Sequence, residues 1–152
     1  HKDGYTYTQA FAGDGTPVGG AAAEHVTLKF SNYKTGKFDY DSESGKYLVS
    51  QYGGAYTDGN TGEQVGATNV LVLETAISVI SGDKAGRLTV QLTGSGSGTY
   101  FCGGKAVAIR WSKADRNSQF VYTLADGIPL TMGQGNSYVC IMSPKTSQLS
   151  YE

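Results

Sequence analysis

A glycine-rich segment that ends in Gly-Lys, residues 93–105 (TGSGSGTYFCGGK), is the stretch of this sequence that comes nearest to a phosphate-binding loop. In such loops backbone N–H groups surround the phosphates and a lysine follows the last glycine. The spacing fits neither nucleotide-binding pattern, because Thr99 stands where each pattern needs a glycine and Ala106 where a P-loop needs Ser or Thr. We interpret the segment as a strand bent at its glycines, followed by a hairpin turn at Gly103-Gly104. Close approach of its backbone to a ligand is the alternative.

Carboxylates are the next group that could do chemistry. Asp39, Asp41 and Glu43 resemble a calcium-binding loop, but Gly45 is one position too late and no Glu closes the loop. Asp58 is followed by Gly-Asn-Thr-Gly, which is typical of a turn whose carboxylate accepts backbone N–H groups. Catalysis by a pair drawn from Asp39, Asp41 and Asp58 would need two carboxylates roughly 5–9.5 Å apart across a cleft.

The histidines and cysteines do not form a recognisable site. His1 and His25 have no nucleophile motif and no metal-ligand spacing around them, so the sequence predicts no metal and no catalytic triad. Cys102 and Cys140 both lie in strand-like runs. Either they are small buried hydrophobic residues, or they form a disulfide between neighbouring strands.

The single tryptophan allows two interpretations. Trp111 has the same parity as Val107 and Ile109, which favours a place in the core. With Arg110 and Lys113 it could instead form an aromatic platform for a sugar or an anionic polymer.

Composition limits the classes of function. The 152 residues fit one domain, with 12 Lys and Arg against 13 Asp and Glu and no basic run, so nucleic acid is not an expected partner. Charged residues make up only 16% of the chain, while Gly (22) and Tyr (11) are abundant, as is common in exported β-domains. The sequence contains no apolar stretch of the roughly 18 residues that span a membrane and no hydrophobic core of a signal peptide.

Alternating hydrophobicity predicts strands nearly everywhere. Three half-buried strands carry their apolar sets at Val26, Leu28 and Phe30; at Leu88, Val90 and Leu92; and at Val107, Ile109 and Trp111. Residues 69–80 are apolar on both faces and predict a central strand.

Turn signals separate these strands. We expect a type I′ hairpin turn at Asp126-Gly127 and a hairpin loop over residues 41–45. The sequence thus predicts a single all-β domain over residues 1–152, an antiparallel β-sandwich or partly open β-barrel of about eight or nine short strands with little or no helix. Residues 1–20 are expected to form a lead-in strand and a flexible loop.

An ordered set of short motifs resembles the C-terminal domain of the YerB-like bacterial lipoproteins, the DUF3048 family. The resemblance covers roughly residues 11–143, although each motif alone is weak. Departures are the absence of an Arg after Tyr47 and the presence of Tyr138 where Trp is usual. The matching positions are Tyr40-Asp41, Tyr47, Asp58 with Thr61-Gly62, Asn69-Val70, Gly94-Ser95-Gly96, Gly104-Lys105, Trp111-Ser112-Lys113 and Gly135 through Tyr138.

The resemblance implies a location in the cell envelope, outside the cytoplasmic membrane. It also implies a parent protein with an N-terminal domain and a lipid-anchoring signal that are absent from this sequence. It implies no activity and no cofactor. We therefore expect a monomeric, non-catalytic module that binds a cell-wall component or an envelope protein. The alternatives are an enzyme acting on cell-wall polymer and a scaffold for a catalytic N-terminal domain. The candidate ligand-binding residues are Asp58, Thr61, Asn69, Lys105, Trp111 and Lys113.

Overall fold

A computed structural model of the chain describes residues 8–152, and no helix occurs among them. Sixteen strands are formed in this part of the chain, many of them only two or three residues long. In chain order they are β1 Ala10–Ala12, β2 Ala21–Ala22, β3 His25–Lys29, β4 Thr35–Asp41, β5 Lys46–Gln51, β6 Gly54–Ala55, β7 Gly66–Ala67, β8 Asn69–Glu74, β9 Ile77–Val79, β10 Leu88–Val90, β11 Gly94–Cys102, β12 Lys105–Lys113, β13 Val121–Leu124, β14 Thr131–Gly133, β15 Ser137–Met142 and β16 Gln148–Tyr151.

Two six-stranded sheets make up most of the structure. The first sheet has the order β13-β12-β11-β8-β15, with β2 paired to one end of β12. The second sheet has the order β16-β3-β4-β5-β6, with β7 also paired to β5. Neighbours are antiparallel in both sheets except β8 and β15, which run parallel. Two smaller pairs, parallel β1–β14 and antiparallel β9–β10, lie outside these sheets.

The inner faces of the two sheets enclose one hydrophobic core. Val26 and Phe38 from the second sheet pack with Val70, Val72 and Phe101 from the first, all of them almost fully buried. The alternation predicted for β3 thus points its apolar side chains to this core. Two sheets packed face to face in this way form a β-sandwich.

A second core covers the opposite face of the first sheet. Leu71, Leu73, Tyr100 and Trp111 point to this side and pack against residues that include Met132 of β14. Strand β8 therefore contributes alternate residues to two cores, and its first five residues are all buried. The prediction of a central strand apolar on both faces is confirmed for residues 69–74.

The prediction fails beyond residue 74. Residues 69–80 are two strands rather than one, because β9 leaves the first sheet and pairs only with β10. Leu88, Val90 and Leu92 were expected to be half-buried, but all three are exposed. Their alternation resembles that of a core strand, but within residues 8–152 these side chains are not covered by another layer.

Turn chemistry explains how the long strands reverse. Gly103 and Gly104 have φ angles of 59° and 70° and connect β11 to β12, so the predicted two-residue hairpin turn is confirmed. The loop over residues 41–45 likewise connects β4 to β5. At Asp126-Gly127 only the glycine has a positive φ, and the N–H of Gly127 donates to the carbonyl of Leu124. That turn is a three-residue hairpin loop and not the predicted type I′ turn.

The all-β, sandwich-like fold is as predicted, with two differences. No sheet among residues 8–152 closes into a barrel, and the parallel β8–β15 pair makes the first sheet mixed, while the second sheet is antiparallel throughout. Nine of the strands have four or more residues. Residues 1–7 of the predicted lead-in lie outside the described residues. Residues 8–20 contain one short strand, β1, and β2 begins directly after them at Ala21. No helix with the length and apolar character of a membrane span is found in residues 8–152.

Candidate functional site

The predicted ligand-binding residues are spread over the molecule and do not form one site. Asp58 and Thr61 lie together in the exposed loop between β6 and β7. One carboxylate oxygen of Asp58 accepts the N–H groups of Asn60 at 2.9 Å and Thr61 at 3.0 Å, and these bonds lower the pKa of the carboxyl. The side chain therefore holds a turn, as its sequence context predicts.

Trp111 and Lys113 stabilise the first sheet. Trp111 is only 2% exposed, and its indole N–H donates to the carbonyl of Glu74 at 3.0 Å. Lys113 Nζ donates to the carbonyls of Arg116 and Ser118 and lies 5.7 Å from the centre of the Phe120 ring. The core interpretation of Trp111 is confirmed, and the aromatic platform built on it is wrong because the ring is buried.

Asn69 and Lys105 have opposite environments. Asn69 is fully buried, and its side chain bonds Tyr100 and the backbone of Gly133. Lys105 is exposed at the start of β12 and makes no ion pair within residues 8–152. The two residues therefore share no site.

The three candidate catalytic carboxylates each have a structural partner. Asp41 accepts the N–H of Ser44 at 3.0 Å in the β4–β5 loop, and this network lowers the pKa of its carboxyl. Asp39 Oδ1 lies 2.8 Å from His25 Nδ1 on the outer face of the second sheet. Hydrogen bonding to Asp39 raises the pKa of the His25 imidazole above 6.5.

The two cysteines are buried free thiols. Cys102 belongs to the core on the outer side of the first sheet, while Cys140 belongs to the core between the sheets. Burial raises the pKa of the Cys140 thiol to about 12, so it stays protonated. The disulfide alternative is not realised, because β8 separates the two strands and the side chains point to opposite faces. No group of three or more His, Cys, Asp or Glu side chains that could hold a metal occurs in the described residues.

The β9–β10 hairpin, in which apolar alternation predicts half-buried side chains, is exposed. Strands β9 and β10 put Val79 opposite Leu88 and Ile77 opposite Val90, which gives the hairpin one apolar face. Val79 is 61% exposed and Leu88 is 57% exposed. A groove of about 430 Å³ runs between this face and the body of the protein, where Phe30 and Ile141 are among the lining residues.

A polar groove of about 310 Å³ lies on the outer face of the second sheet. Four side chains, those of Thr35, Lys37, Asp39 and Ser50, line it together with the backbone of residues 53–55. These residues are not recognisable as a group in the sequence, because they come from two strands and a turn. The alternation within β4 and β5 was the available signal, since it assigns Lys37, Asp39 and Ser50 to the face opposite Phe38 and Val49.

A third concavity, of about 340 Å³, lies at the outer core. It is lined mainly by apolar side chains, among them Val107, Leu124 and Leu130, and Asp14 is its single charged residue. Hydrogen bonds from the side chain of Thr16 and from its N–H, at 2.8 Å, lower the pKa of the Asp14 carboxyl. The cleft therefore offers mainly apolar contact and one charged group.

Comparisons with known proteins agree with the fold described above. Residues 26–139 match a family described as the C-terminal domain of DUF3048, a protein of unknown function. The crystal structure of the YerB protein from Bacillus subtilis superimposes with a TM-score of 0.72 at 22% sequence identity. That likeness covers 93% of this chain and 46% of the YerB chain, so this sequence spans less than half the length of its structural relative. No curated protein matches the sequence.

Proposed function

This chain belongs to the family of DUF3048 C-terminal domains, and we propose that it acts there as a non-catalytic module that binds another protein of the bacterial cell envelope. The β9–β10 hairpin is the binding element in this proposal. We also propose that the protein lies outside the cytoplasmic membrane. This location rests on the motifs that resemble those of YerB-like lipoproteins.

The exposed apolar face of the β9–β10 hairpin is the observation that supports this function. Cross-strand pairs of large apolar side chains normally stabilise a sheet by packing under another layer. Here Val79, Leu88 and Val90 remain 61%, 57% and 37% exposed, and Leu92, the next alternate position after Val90, is 39% exposed. Large apolar side chains exposed together on one face of a hairpin are typical of protein interaction sites.

The shape of the hairpin also suits a polypeptide partner. Its other face is polar, since Ser78 pairs with Thr89, so the ribbon is amphipathic. The groove behind the apolar face is walled by Phe30 and Ile141, which provides room for apolar side chains of a partner. The hydrophobic effect then supplies affinity, because each apolar side chain loses contact with water on binding.

The alternative of a wall-degrading enzyme has less support. Asp41 and Asp58 each bond the backbone of their own loop, and Asp39 is paired with His25. Each of these three candidate carboxylates thus already has a structural partner, which disfavours a catalytic pair drawn from them.

The proposal is tested with a photo-crosslinking amino acid placed at Val79 of the full-length parent protein in cells. Val18 is the matched control, since it is fully exposed but lies in the loop before β2, away from the hairpin. We expect one discrete protein adduct at position 79, none at position 18, and loss of the adduct in the variant Leu88→Ser.

Purified Leu88→Ser protein must keep its stability for this result to count. The free energy of unfolding should change by less than about 0.5 kcal/mol, because Leu88 is exposed. Absence of a protein adduct at position 79, or an equal adduct pattern at position 18, would contradict the proposal. Sedimentation of the purified chain shows whether the partner is a second copy.

A further inference from the structure

Tyr52 has a side chain that the fold does not use. Gln51 pairs with Gly54, so Tyr52 and Gly53 form a two-residue hairpin turn with φ angles of 53° and 82°. Such turns favour Asn or Gly at the first position, because a positive φ is strained for a bulky residue. The Tyr52 side chain is 74% exposed and makes no hydrogen bond or ring contact with the rest of residues 8–152. Strained, exposed residues of this kind are often retained for binding.

A second exposed tyrosine lies at the same end of the second sheet. Tyr33 is 91% exposed in the connection between β3 and β4. Gly36, near the start of β4, is paired with Gln51, at the end of β5. The β3–β4 turn that carries Tyr33 and the β5–β6 turn that carries Tyr52 therefore lie at the same end of the sheet. Within the described residues these are the two most exposed aromatic side chains.

The polar groove on the outer face of the second sheet begins at this edge. Thr35 and Lys37 come from β4, and Ser50 is paired with Lys37 on β5. The backbone of Gly53 and Gly54, directly after Tyr52, forms part of the same wall. The turns that carry the two tyrosines therefore lie at the same end of the second sheet as the groove, and the Tyr52 turn is directly continuous with its wall.

The groove contains hydrogen-bond donors and acceptors that the fold itself does not use. The Lys37 ammonium makes no ion pair within residues 8–152, so its donors are available. Asp39 uses Oδ1 for His25, which leaves Oδ2 as an acceptor. The Ser50 hydroxyl accepts from Gln64 Nε2 at 3.3 Å and can still donate.

We propose that this surface binds a neutral saccharide chain. Neighbouring sugar hydroxyls need a donor and an acceptor side by side, as Lys37 and Asp39 provide. The C–H face of a sugar ring packs on an aromatic ring, as Tyr52 and Tyr33 provide. A phosphate or other anion would meet Asp39 as well as Lys37, so the mixed charge disfavours it. This site is separate from the β9–β10 hairpin and does not depend on the function proposed above.

Amide chemical shifts of the isotope-labelled chain test the site directly. The probes are a β-linked N-acetylglucosamine trisaccharide, a glucose trisaccharide and inorganic phosphate, each at millimolar concentration. We expect at least one trisaccharide to shift the amides of Lys37, Ser50, Gly53 and Gly54, with saturable binding. Tyr52→Asn should weaken that binding at least about tenfold, because the stacking ring is lost.

Matched variants separate ring stacking from a loss of folding. Tyr52→Phe keeps the ring and should bind within about twofold of the parent chain. Phe11→Ser removes an exposed ring from β1, on the far side of the first sheet, and should not change binding. Val79→Ser should also bind normally, so failure of the hairpin proposal is distinguishable from failure of this one.

Three outcomes would overturn the inference. They are no amide shifts with either trisaccharide, shifts confined to residues outside the groove, and binding unchanged by Tyr52→Asn. Shifts with phosphate alone belong to the first of these outcomes and would identify an anion site instead.

Discussion

Asn69 shows how one buried polar residue joins three elements. Its Oδ1 accepts the hydroxyl of Tyr100 at 2.7 Å and the N–H of Gly133 at 2.9 Å, while its Nδ2 donates to the carbonyl of Gly133 at 2.8 Å. Strands β8, β11 and β14 are thus held together in the outer core. The polarity that made Asn69 a ligand candidate in the sequence is used inside the protein, where unpaired polar groups are costly.

Replacing Asn69 tests this role at the scale of a single residue. Asn69→Ala should lower the free energy of unfolding by about 3 kcal/mol, because the Tyr100 hydroxyl and the Gly133 backbone lose buried partners. Tyr100→Phe is the matched variant and should cost only about 1 kcal/mol, since Asn69 still bonds Gly133. Urea denaturation measures both values. A loss below about 1 kcal/mol for Asn69→Ala would show that the network does not stabilise the fold.

The packing of strand β11 explains why glycine occupies every second position in its first half. Gly96 and Gly98 face the outer core, where neighbouring strands lie too close for a side chain. A Cβ atom at Gly96 would lie 2.6 Å from Trp111 Nε1 and 2.6 Å from the carbonyl oxygen of Glu74, which are the two partners of a hydrogen bond. Trp111 therefore packs over the glycine, and the segment that resembled a phosphate loop is a strand built for close packing.

Gly96→Ala is the test of that element. The added methyl group must displace Trp111 or the backbone of β8, so we expect a loss of about 2–3 kcal/mol in the free energy of unfolding. Ser95→Ala is the control on the opposite, exposed face of the same strand and should change stability by less than about 0.5 kcal/mol. Thermal and urea unfolding compare the two variants. Equal stability of both would contradict the packing argument.

The whole molecule is organised around the first sheet, which has a hydrophobic core on each face. Successive residues of β8 belong to different cores, so this strand packs against apolar side chains on both of its faces. This arrangement also separates the two cysteines. The strands that carry them have β8 between them, and strands two positions apart lie roughly 9–10 Å apart, beyond the reach of a disulfide.

Thiol chemistry tests that organisation. Cys102 and Cys140 should not react with an alkylating reagent in the native protein, because both are buried and the pKa of Cys140 is raised to about 12. Both should react in guanidinium, and a reductant should leave the unfolding midpoint unchanged. An intramolecular disulfide detected by mass spectrometry, or a midpoint that falls on reduction, would be inconsistent with this fold.

The local features of this protein are predictable from its amino-acid sequence. The all-β class followed from apolar alternation, as at Val26, Leu28 and Phe30, because strand side chains alternate whatever the strand pairs with. The Gly103-Gly104 turn followed from the backbone freedom of glycine, and the buried position of Trp111 followed from its parity with Ile109.

Which alternating strands are covered, and which distant residues come into contact, depends on the packing of the folded chain. Leu88 and Val90 have the pattern of a core strand, yet they are exposed because burial depends on whether a distant segment packs over them. The same holds for Cys102 and Cys140, whose separation by β8 is a matter of strand order. The polar groove beside Tyr52 likewise exists only where β4, β5 and a turn come together. Periodicity is a property of neighbouring residues, whereas coverage and juxtaposition are set by contacts between residues far apart in the chain.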